Sequence, residues 1–555
     1  MDDRRLRWTA LALAGVTLLS RLPFVADRLW DHDSIQFALG VEKYDPAAHH
    51  PHPPGYPLYI GILKLLAALG IDPQHAMVAL AIFGGALGAA LLFLLTARLT
   101  RESPEAAWRA GLFAGVIYAF NPLLWFYGEL QLTYALEGGL AVAIAYGAWR
   151  MPESRRAFLL ACAVFPLAGG LRQSTMILLV PLFLYGVFRT WRAGRLTWKL
   201  LFGGGALSVA ITLAWFIPLV RACGGYAEYQ RISQEHYGHL LPETSILYGG
   251  GWPALAHNLE VLTKWALQGI FPGAMALLLL WLLAPSRILP GLRHLISRLD
   301  WVLIWAVPPI AFFAIFHVTK AGYTLVHLPA LLLALAFLAA PALAASRPKA
   351  LAAVALASAV AIGLFVWGED RHDDQPRLLA VVRHEFNQGT IARYERDLDR
   401  ALTAIRRYPP GQTVLATIEL PGIGAAGAEG FLFPWHRHLQ WYLPEYPVVM
   451  LVPEERFSLV VRGHQPLRRE NGPVQVPIGT RRVLFVLSAP IGDRLALPLG
   501  EVLVGDGDFL VAAVPFRGEM RVGSLVLTVD PGVGEKVARF VAHPTSGGRT
   551  PALPD

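Results

Sequence analysis

The feature that most constrains this chain is its succession of long apolar runs separated by short charged segments. A helix needs roughly 20 apolar residues to cross a bilayer. Runs near that length fall at about 8–22, 75–97, 110–128, 131–149, 157–171, 174–188, 200–220, 265–285, 301–319, 322–342 and 350–367. The pattern predicts a polytopic α-helical membrane protein of about 11 transmembrane helices. Composition agrees: 55% of the 555 residues are hydrophobic and 16% are charged, with a mean hydropathy of +0.45. That is too apolar for a soluble protein of this size.

Charge sets the orientation. The leading MDDRRLR keeps the N-terminus cytoplasmic, by the excess of Lys and Arg in cytoplasmic loops. The segment Tyr56 to Leu69 carries Lys64 and is too short to span, so it is expected to lie at the interface. The loops assigned to the cytoplasm are then all basic: Arg98, Arg101 and Arg109; Arg150, Arg155 and Arg156; Arg189, Arg192, Arg195 and Lys199; Arg287, Arg293 and Arg298; Arg347 and Lys349. The net charge of +8 is spent mainly on these clusters, which argues against nucleic acid as a partner. Cys162 lies in an apolar run and Cys223 in a polar loop, so no disulfide framework is implied. The first apolar segment lacks a clear cleavage site and is expected to remain as a signal anchor.

Composition changes after Trp367. Residues 1–367 form the expected membrane domain, with a first extracytoplasmic loop at 23–74. Residues 368–542 form an expected extracytoplasmic α/β domain, and 543–555 an expected disordered tail rich in Pro, Ser, Gly and Thr. Within the second domain, helices are expected at Arg377 to Phe386, Arg393 to Tyr408 and His436 to Leu443. Strands are expected at Thr413 to Ile418, Val448 to Val452, Arg482 to Ser488, Phe509 to Val514 and Ser524 to Val529.

The extracytoplasmic loops carry the unusual chemistry: Asp31 to Tyr59, Glu129 to Tyr134, Gly170 to Gln173, Arg221 to Lys264 and His317 to Tyr323. They are expected to meet on one face. In the first, Asp31 and Asp33 precede an apparent helix, DSIQFALGVEKY. Either could cap it. Asp33 could also serve as a general base toward a hydroxyl, or with Asp31 hold a divalent cation, and the residues leave these open. His49 and His52 adjoin a stiff Pro53-Pro54-Gly55-Tyr56 turn suited to phosphate, or are incidental to that turn. Their spacing matches no zinc signature. Glu129 and Glu137 are acidic groups at membrane depth, where a carboxylate faces a partner or a water-filled cavity. Arg172 either snorkels to headgroups or grips a phosphate. Lys320, with His317 and Tyr323, forms a second cationic cluster or an interfacial anchor.

Taken in order, DxDSxxFA from Asp31, HxPHPPGYPLY from His49–His50 to Tyr59, YALE from Tyr134, GLRQS around Arg172 and KAGY from Lys320 resemble the GT-C class of integral membrane glycosyltransferases. The likeness is to bacterial protein O-mannosyltransferase and aminoarabinose transferase-like proteins (family 39-like), over roughly residues 8–367. The resemblance implies a polyprenyl-phosphate sugar donor and transfer to a glycan, lipid or protein acceptor at the extracytoplasmic face of the plasma (inner) membrane. It implies catalysis by Asp33, with Glu129 as a further candidate; Arg172, Lys320, His52 and His49 against the donor phosphate; and Tyr56, Tyr134, Glu137 and Tyr323 against substrate. Family members often carry an Asp-Glu pair in the first loop. Here Ser34 follows Asp33, so a second carboxylate would have to come from Asp31 or Glu129. No cofactor is required beyond an open question of a divalent cation. Two other readings compete: a transporter or flippase for a lipid-linked or anionic substrate, and a non-catalytic membrane scaffold. The first would place its site near the midplane, and the second would tolerate loss of Asp33.

Overall fold

The structure, a computed structural model, describes residues 3–100, 103–368, 385–419, 435–453, 455–488, 501–505 and 509–529. Two compact units emerge: Met1–Leu29 with Pro53–Ile391, and Trp30–His52 with Ala392–Asp555. The expected boundary near residue 367 therefore shifts. A piece of the first loop, Trp30–His52, packs as part of the C-terminal unit.

The first unit is helical. Among the described residues, five helices are long and apolar enough to cross a membrane: Pro73–Leu99, Trp198–Ala222, Gly251–Leu283, Leu328–Ala345 and Arg347–Val366. Two bent pairs raise the number to seven: Pro104–Ala119 with Pro122–Gly128, and Pro285–Ile296 with Leu299–Ile315. The other apolar runs form shorter or more charged helices, at Asp3–Arg21, Tyr134–Arg150, Arg155–Leu171 and Val180–Arg192. The chain is thus a multi-pass membrane protein, and the count of about 11 spans is not reached by length and composition. Two runs break where polar chemistry enters. The 174–188 run divides at Leu179 into Gln173–Leu178 and Val180–Arg192, and the 322–342 run opens with a 3-10 turn, Ala321–Val326.

Several helix starts follow from local sequence. Asp72-Pro73, Ser103-Pro104 and Asn121-Pro122 each place a capping side chain on backbone N–H groups of the first turn, with proline at the first helical position. The helix Pro57–Ala68 has 12 residues and is apolar, too short to span, as expected. One stretch expected as loop is helical instead. In Tyr226–Thr244, Arg231 pairs with Glu228 and Glu235 on either side, a spacing that stabilises a polar helix.

Helices Pro73–Leu99 and Tyr134–Arg150 approach each other closely at Gly84 and Gly139. A Cβ on Gly139 would sit 2.1 Å from the Gly84 carbonyl oxygen, and one on Gly84 would sit 2.3 Å from Leu136 Cα. Small residues let backbones meet where no hydrophobic force acts between helices.

The C-terminal unit is α/β. Its strands are β1 (Thr413–Ile418), β2 (Pro447–Val452), β3 (Phe457–Arg462), β4 (Arg468–Asn471), β5 (Val474–Val476), β6 (Arg482–Ser488), β7 (Glu501–Val504), β8 (Phe509–Pro515), β9 (Glu519–Val522) and β10 (Leu525–Val529). A seven-stranded sheet runs β4-β3-β2-β1-β6-β8-β7, and β5-β10-β9 form a smaller one. The centre, β2-β1-β6, is parallel and the flanking pairs are antiparallel. The short helix His436–Tyr442 lies in the crossover from β1 to β2. All six residues of β1 are buried, as befits a parallel strand covered on both faces. The helix Gln388–Ile405 overlaps the expected one at 393–408, starting earlier and ending before Tyr408. Expected helix 377–386 falls largely, and the tail wholly, outside the described residues.

Because Gly84 and Gly139 leave no room for a Cβ, Gly139→Ala is expected to destabilise the protein by ~1–3 kcal/mol or more. Gly203→Ala, which meets nothing within 4 Å, should be neutral. Thermal unfolding of the two variants in detergent compares them directly.

Candidate active site

Two constellations hold most of the residues singled out above, one in each unit. In the helical unit, Arg172 sits between helices Arg155–Leu171 and Gln173–Leu178 with extended backbone (φ −153°, ψ 113°). Its Nε lies 3.1 Å from Glu137 Oε2 and donates to Ser174 Oγ at 3.1 Å. Its Nη1 donates to Thr133 Oγ1 at 2.8 Å. Glu137 Oε1 in turn accepts from Thr175 Oγ1 at 2.8 Å and Ser174 Oγ at 3.3 Å. Among the described residues, Arg172 Nη2 has no hydrogen-bond partner.

Aromatic rings enclose this guanidinium. Its carbon lies 4.6 Å from the ring centre of Tyr134, 5.4 Å from Tyr323 and 6.0 Å from Tyr56, within cation–π range. Gly322 makes the contact possible, since a Cβ there would come within 2.4 Å of the Tyr134 ring. Gln173 Nε2 donates to the Pro54 carbonyl at 3.2 Å and accepts through Oε1 from Tyr229 OH at 3.2 Å. Lys320 is buried at the start of the Ala321–Val326 turn. Burial, with His236 and Lys320 nearby, pushes His317 down to about 4, so it is neutral at pH 7. The turn before Tyr56, YALE, GLRQS and KAGY, scattered in sequence, thus converge. Thr133, Gln173, Ser174 and Thr175 join the set without having been singled out. A hydroxyl or amide beside an arginine carries no distinctive sequence signal.

Glu129 lies elsewhere in the same unit. It is fully buried, with Oε1 3.9 Å from Arg21 Nε. Arg21 also lies over the Trp125 ring at 4.5 Å and donates to the Ala119 carbonyl. The Glu129 carbonyl accepts from Ala26 N–H at 3.1 Å, and Gln131 Nε2 donates to the Ala26 carbonyl at 2.8 Å. Glu129 thus faces Arg21 inside the helical unit, with its carboxyl group buried.

The second constellation belongs to the C-terminal unit. Asp31 caps helix His32–Glu42: its Oδ1 accepts from Asp33 N–H at 2.8 Å, while its own N–H donates to Ser34 Oγ at 3.0 Å. This capping box satisfies two orphan donors and frees Asp33 from the capping role. Asp33 Oδ1 lies 3.7 Å from His52 Nδ1, with the carboxylate 24% exposed. His49 closes the Pro46–Ala48 turn in the left-handed region (φ 57°). Gly40 lets that segment approach, as a Cβ there would meet Pro51 Cδ at 2.9 Å.

Arg437, missed in the sequence, holds the same segment. Its Nη2 donates to the Ala48 carbonyl at 3.1 Å and its Nη1 to His50 Nε2 at 3.1 Å and Gln440 Oε1 at 3.1 Å. Burial first, then Arg437, pushes His50 down to about 3, consistent with an unprotonated Nε2 accepting from a guanidinium. Burial likewise pushes His438 down to about 3 and Arg437 to about 9. The cap engages Asp31 Oδ1. Among the described residues no group of three or more His, Cys, Asp or Glu is placed to hold an ion.

Comparison with known proteins shows what the chain is similar to. Residues 47–195, which contain the whole YALE and GLRQS region, match the family model for the protein O-mannosyl-transferase TMEM260 N-terminal domain. The apo crystal structure of ArnT from Cupriavidus metallidurans is similar over 91% of this chain and 97% of that one, with 16% identity and a TM-score of 0.51. The same protein bound to undecaprenyl phosphate is similar over 92% and 97%, with 15% identity and a TM-score of 0.51. No curated protein sequence matches. The fold is similar to that of ArnT. The family match within the bundle supports a membrane glycosyltransferase similar to the O-mannosyltransferases.

Two outcomes follow. Removing one member of a buried ion pair costs ~3–5 kcal/mol. Glu137→Met should therefore destabilise strongly, and Glu137→Met with Arg172→Met less than Glu137→Met alone; a double-mutant cycle by thermal unfolding measures this. For the histidines, the unfolded chain protonates near 6.5 and the folded one near 3, so the unfolded state binds more protons between these values. Stability is complete above about 6.5 and falls as pH drops toward 3, and His50→Gln should flatten the pH dependence of the unfolding temperature.

Proposed function

We propose that this chain transfers a sugar from a polyprenyl-phosphate donor to an acceptor hydroxyl on a glycan, lipid or protein. The transfer takes place at the extracytoplasmic side of the plasma (inner) membrane. The basic loops support an orientation with the N-terminus in the cytoplasm and the C-terminal domain outside.

The observation that carries the reading is Arg172: a buried guanidinium held by Glu137 and Thr133, ringed by Tyr56, Tyr134 and Tyr323, with Nη2 unpartnered among the described residues. A fixed cation of this kind stabilises charge that develops on a leaving phosphate without having to reorganise, and Lys320 adds a second. The tyrosines supply flat, half-polar walls of the sort that sugars and lipid headgroups pack against. Asp33, with His52 beside it, supplies the base. The acceptor oxygen attacks the anomeric carbon, the bond to phosphate oxygen breaks, and a single displacement inverts that carbon. No step of this displacement is assigned to a metal, and a divalent cation at Asp33 and Asp31 is tested by the chelator arm below.

The test is transfer of radiolabelled sugar from a panel of polyprenyl-phosphate sugars by purified protein in lipid, with and without chelator. Wild type is expected to turn over at least one donor, and the chelator arm decides whether a divalent cation takes part. Asp33→Asn should lose ~100-fold or more of kcat, and Arg172→Lys, which loses the planar fork, should lose ~10-fold or more. Full activity in Asp33→Asn would overturn the assignment of the base to this carboxylate and its histidine.

A further inference from the structure

One end of the helical unit gathers cations that the fold does not use. Helices Arg155–Leu171 and Trp198–Ala222 lie side by side and run in the same direction: Ser208 Oγ donates to the Cys162 carbonyl at 2.7 Å, and Trp215 Nε1 to the Pro166 carbonyl at 3.0 Å. Their first turns therefore share one end. Arg195 ties the turn that leads into the second helix to the same place, donating to the carbonyls of Pro152 at 2.6 Å and Glu153 at 3.0 Å. Arg155, Arg156, Arg192 and Lys199 are all exposed there.

Basic residues at other helix ends are spent on the protein. Arg109 donates to the carbonyls of Leu343 and Ala344, and Arg298 to that of Leu99. By contrast, the side chains of Arg155, Arg156 and Lys199 make no hydrogen bond or ion pair among the described residues, and Arg192 has the Phe188 ring, 6.0 Å from its guanidinium carbon. Neither helix has a carboxylate in its first turn, and Glu153 is paired with Arg150 at 2.9 Å. Like charges gathered without a countercharge repel one another, and an anion offsets that repulsion. The apolar surroundings say which kind of anion. Trp191 is 62% and Trp198 74% exposed, and the Trp198 ring stacks on Phe202 at 6.0 Å. Tryptophan favours the headgroup level of a membrane. Further along the second helix the exposed side chains are apolar, through Phe202, Val209 and Leu213.

We propose that this surface binds an anionic diacyl phospholipid. Its phosphodiester lies against Arg155, Arg156, Arg192 and Lys199, and its acyl chains run along Phe202, Val209 and Leu213. Guanidinium groups match phosphate oxygens in pairs, and juxtamembrane cations attract anionic lipid. A soluble phosphate would leave the exposed tryptophans and the apolar face without a part. The site is separate from the one around Arg172. That residue caps the far end of helix Arg155–Leu171, roughly 25 Å along the axis. The inference does not rest on the glycosyl-transfer reading.

The experiment joins native mass spectrometry with thermal unfolding, both on the full-length protein in detergent with phosphatidylglycerol and phosphatidylcholine added in equal amounts or singly. Wild type is expected to retain phosphatidylglycerol in preference to phosphatidylcholine, and to unfold at a higher temperature with it. Each cation at a membrane surface is worth about five-fold in affinity. Arg155→Gln with Arg156→Gln should therefore lower the preference ~10-fold or more, as should Arg192→Gln with Lys199→Gln, without lowering the unfolding temperature of the lipid-free protein. Arg468→Gln with Arg469→Gln, on exposed β4, removes the same charge and should keep the wild-type preference. The inference is overturned by a wild type with no preference, by a preference that survives both patch variants, or by an equal loss in the β4 variant. The same stabilisation from inorganic phosphate alone overturns the lipid as occupant. A patch variant that unfolds at a lower temperature without lipid assigns these cations to the fold and overturns it likewise.

Discussion

The polar part of the helical unit depends on one desolvated ion pair, Arg172 with Glu137. Either charge alone within a membrane helix costs ~2.5–3.5 kcal/mol on insertion scales. Together, at 3.1 Å and both nearly fully buried, each supplies the other's countercharge. Glu137 also lies in the first turn of Tyr134–Arg150, where the helix dipole favours a carboxylate. The rest of the arrangement serves this pair. Thr175 and Ser174 take up the second carboxylate oxygen, and the break between Arg155–Leu171 and Gln173–Leu178 leaves Arg172 in extended backbone rather than on a helix face.

Arg21 and Glu129 use the same residue types to a different end. There the guanidinium spends itself on Trp125, the Ala119 carbonyl and a carboxylate 3.9 Å away, all within the protein. Such a pair holds the first helix against the bend between Pro104–Ala119 and Pro122–Gly128. At Arg172 one nitrogen has no partner among the described residues. A buried cation with an unspent donor is a place where a ligand anion gains energy, whereas a fully engaged one is mortar.

Much of the fold could be read in advance, and the reasons differ by element. Strands β1 and β6 match their expected limits because runs such as TVLATI and RVLFVLS are dense in β-branched and apolar residues and bounded by turn residues. The short helix at Pro57 was legible from its length and its proline. The helix Tyr226–Thr244 was not, since its stabilising charges look like loop polarity until placed three and four apart. Among site residues, the cap at Asp31 and the separate standing of Asp33 were legible as alternatives. The partners of Glu129 and Glu137 were not: an acid at the end of a span reads alike whether an arginine or a substrate faces it. Arg437 lies 387 residues from its partner His50, and nothing local to it distinguishes a surface arginine from this one.

That long separation bears on how the first loop does its work. Loops ordinarily owe their shape to turn residues alone, and this one has them in Pro46, Gly55 and the prolines between. Yet the backbone of Ala48 and the ring of His50 are also held by Arg437, a guanidinium 2% exposed with no carboxylate partner among the described residues. Its acceptors are all neutral, and burial has already lowered it to about 9. A charge kept in such surroundings holds its place through well-formed hydrogen bonds rather than through net attraction. The His464–Glu42 contact at 2.7 Å and the Trp30–Tyr394 ring contact at 4.6 Å lie near the two ends of the helix His32–Glu42 that precedes this stretch. The segment carrying Asp33, Gln36 and His52 is therefore ordered by the C-terminal domain. A segment distant in sequence from the sheet domain thus owes its shape to that domain as much as to its own turn residues.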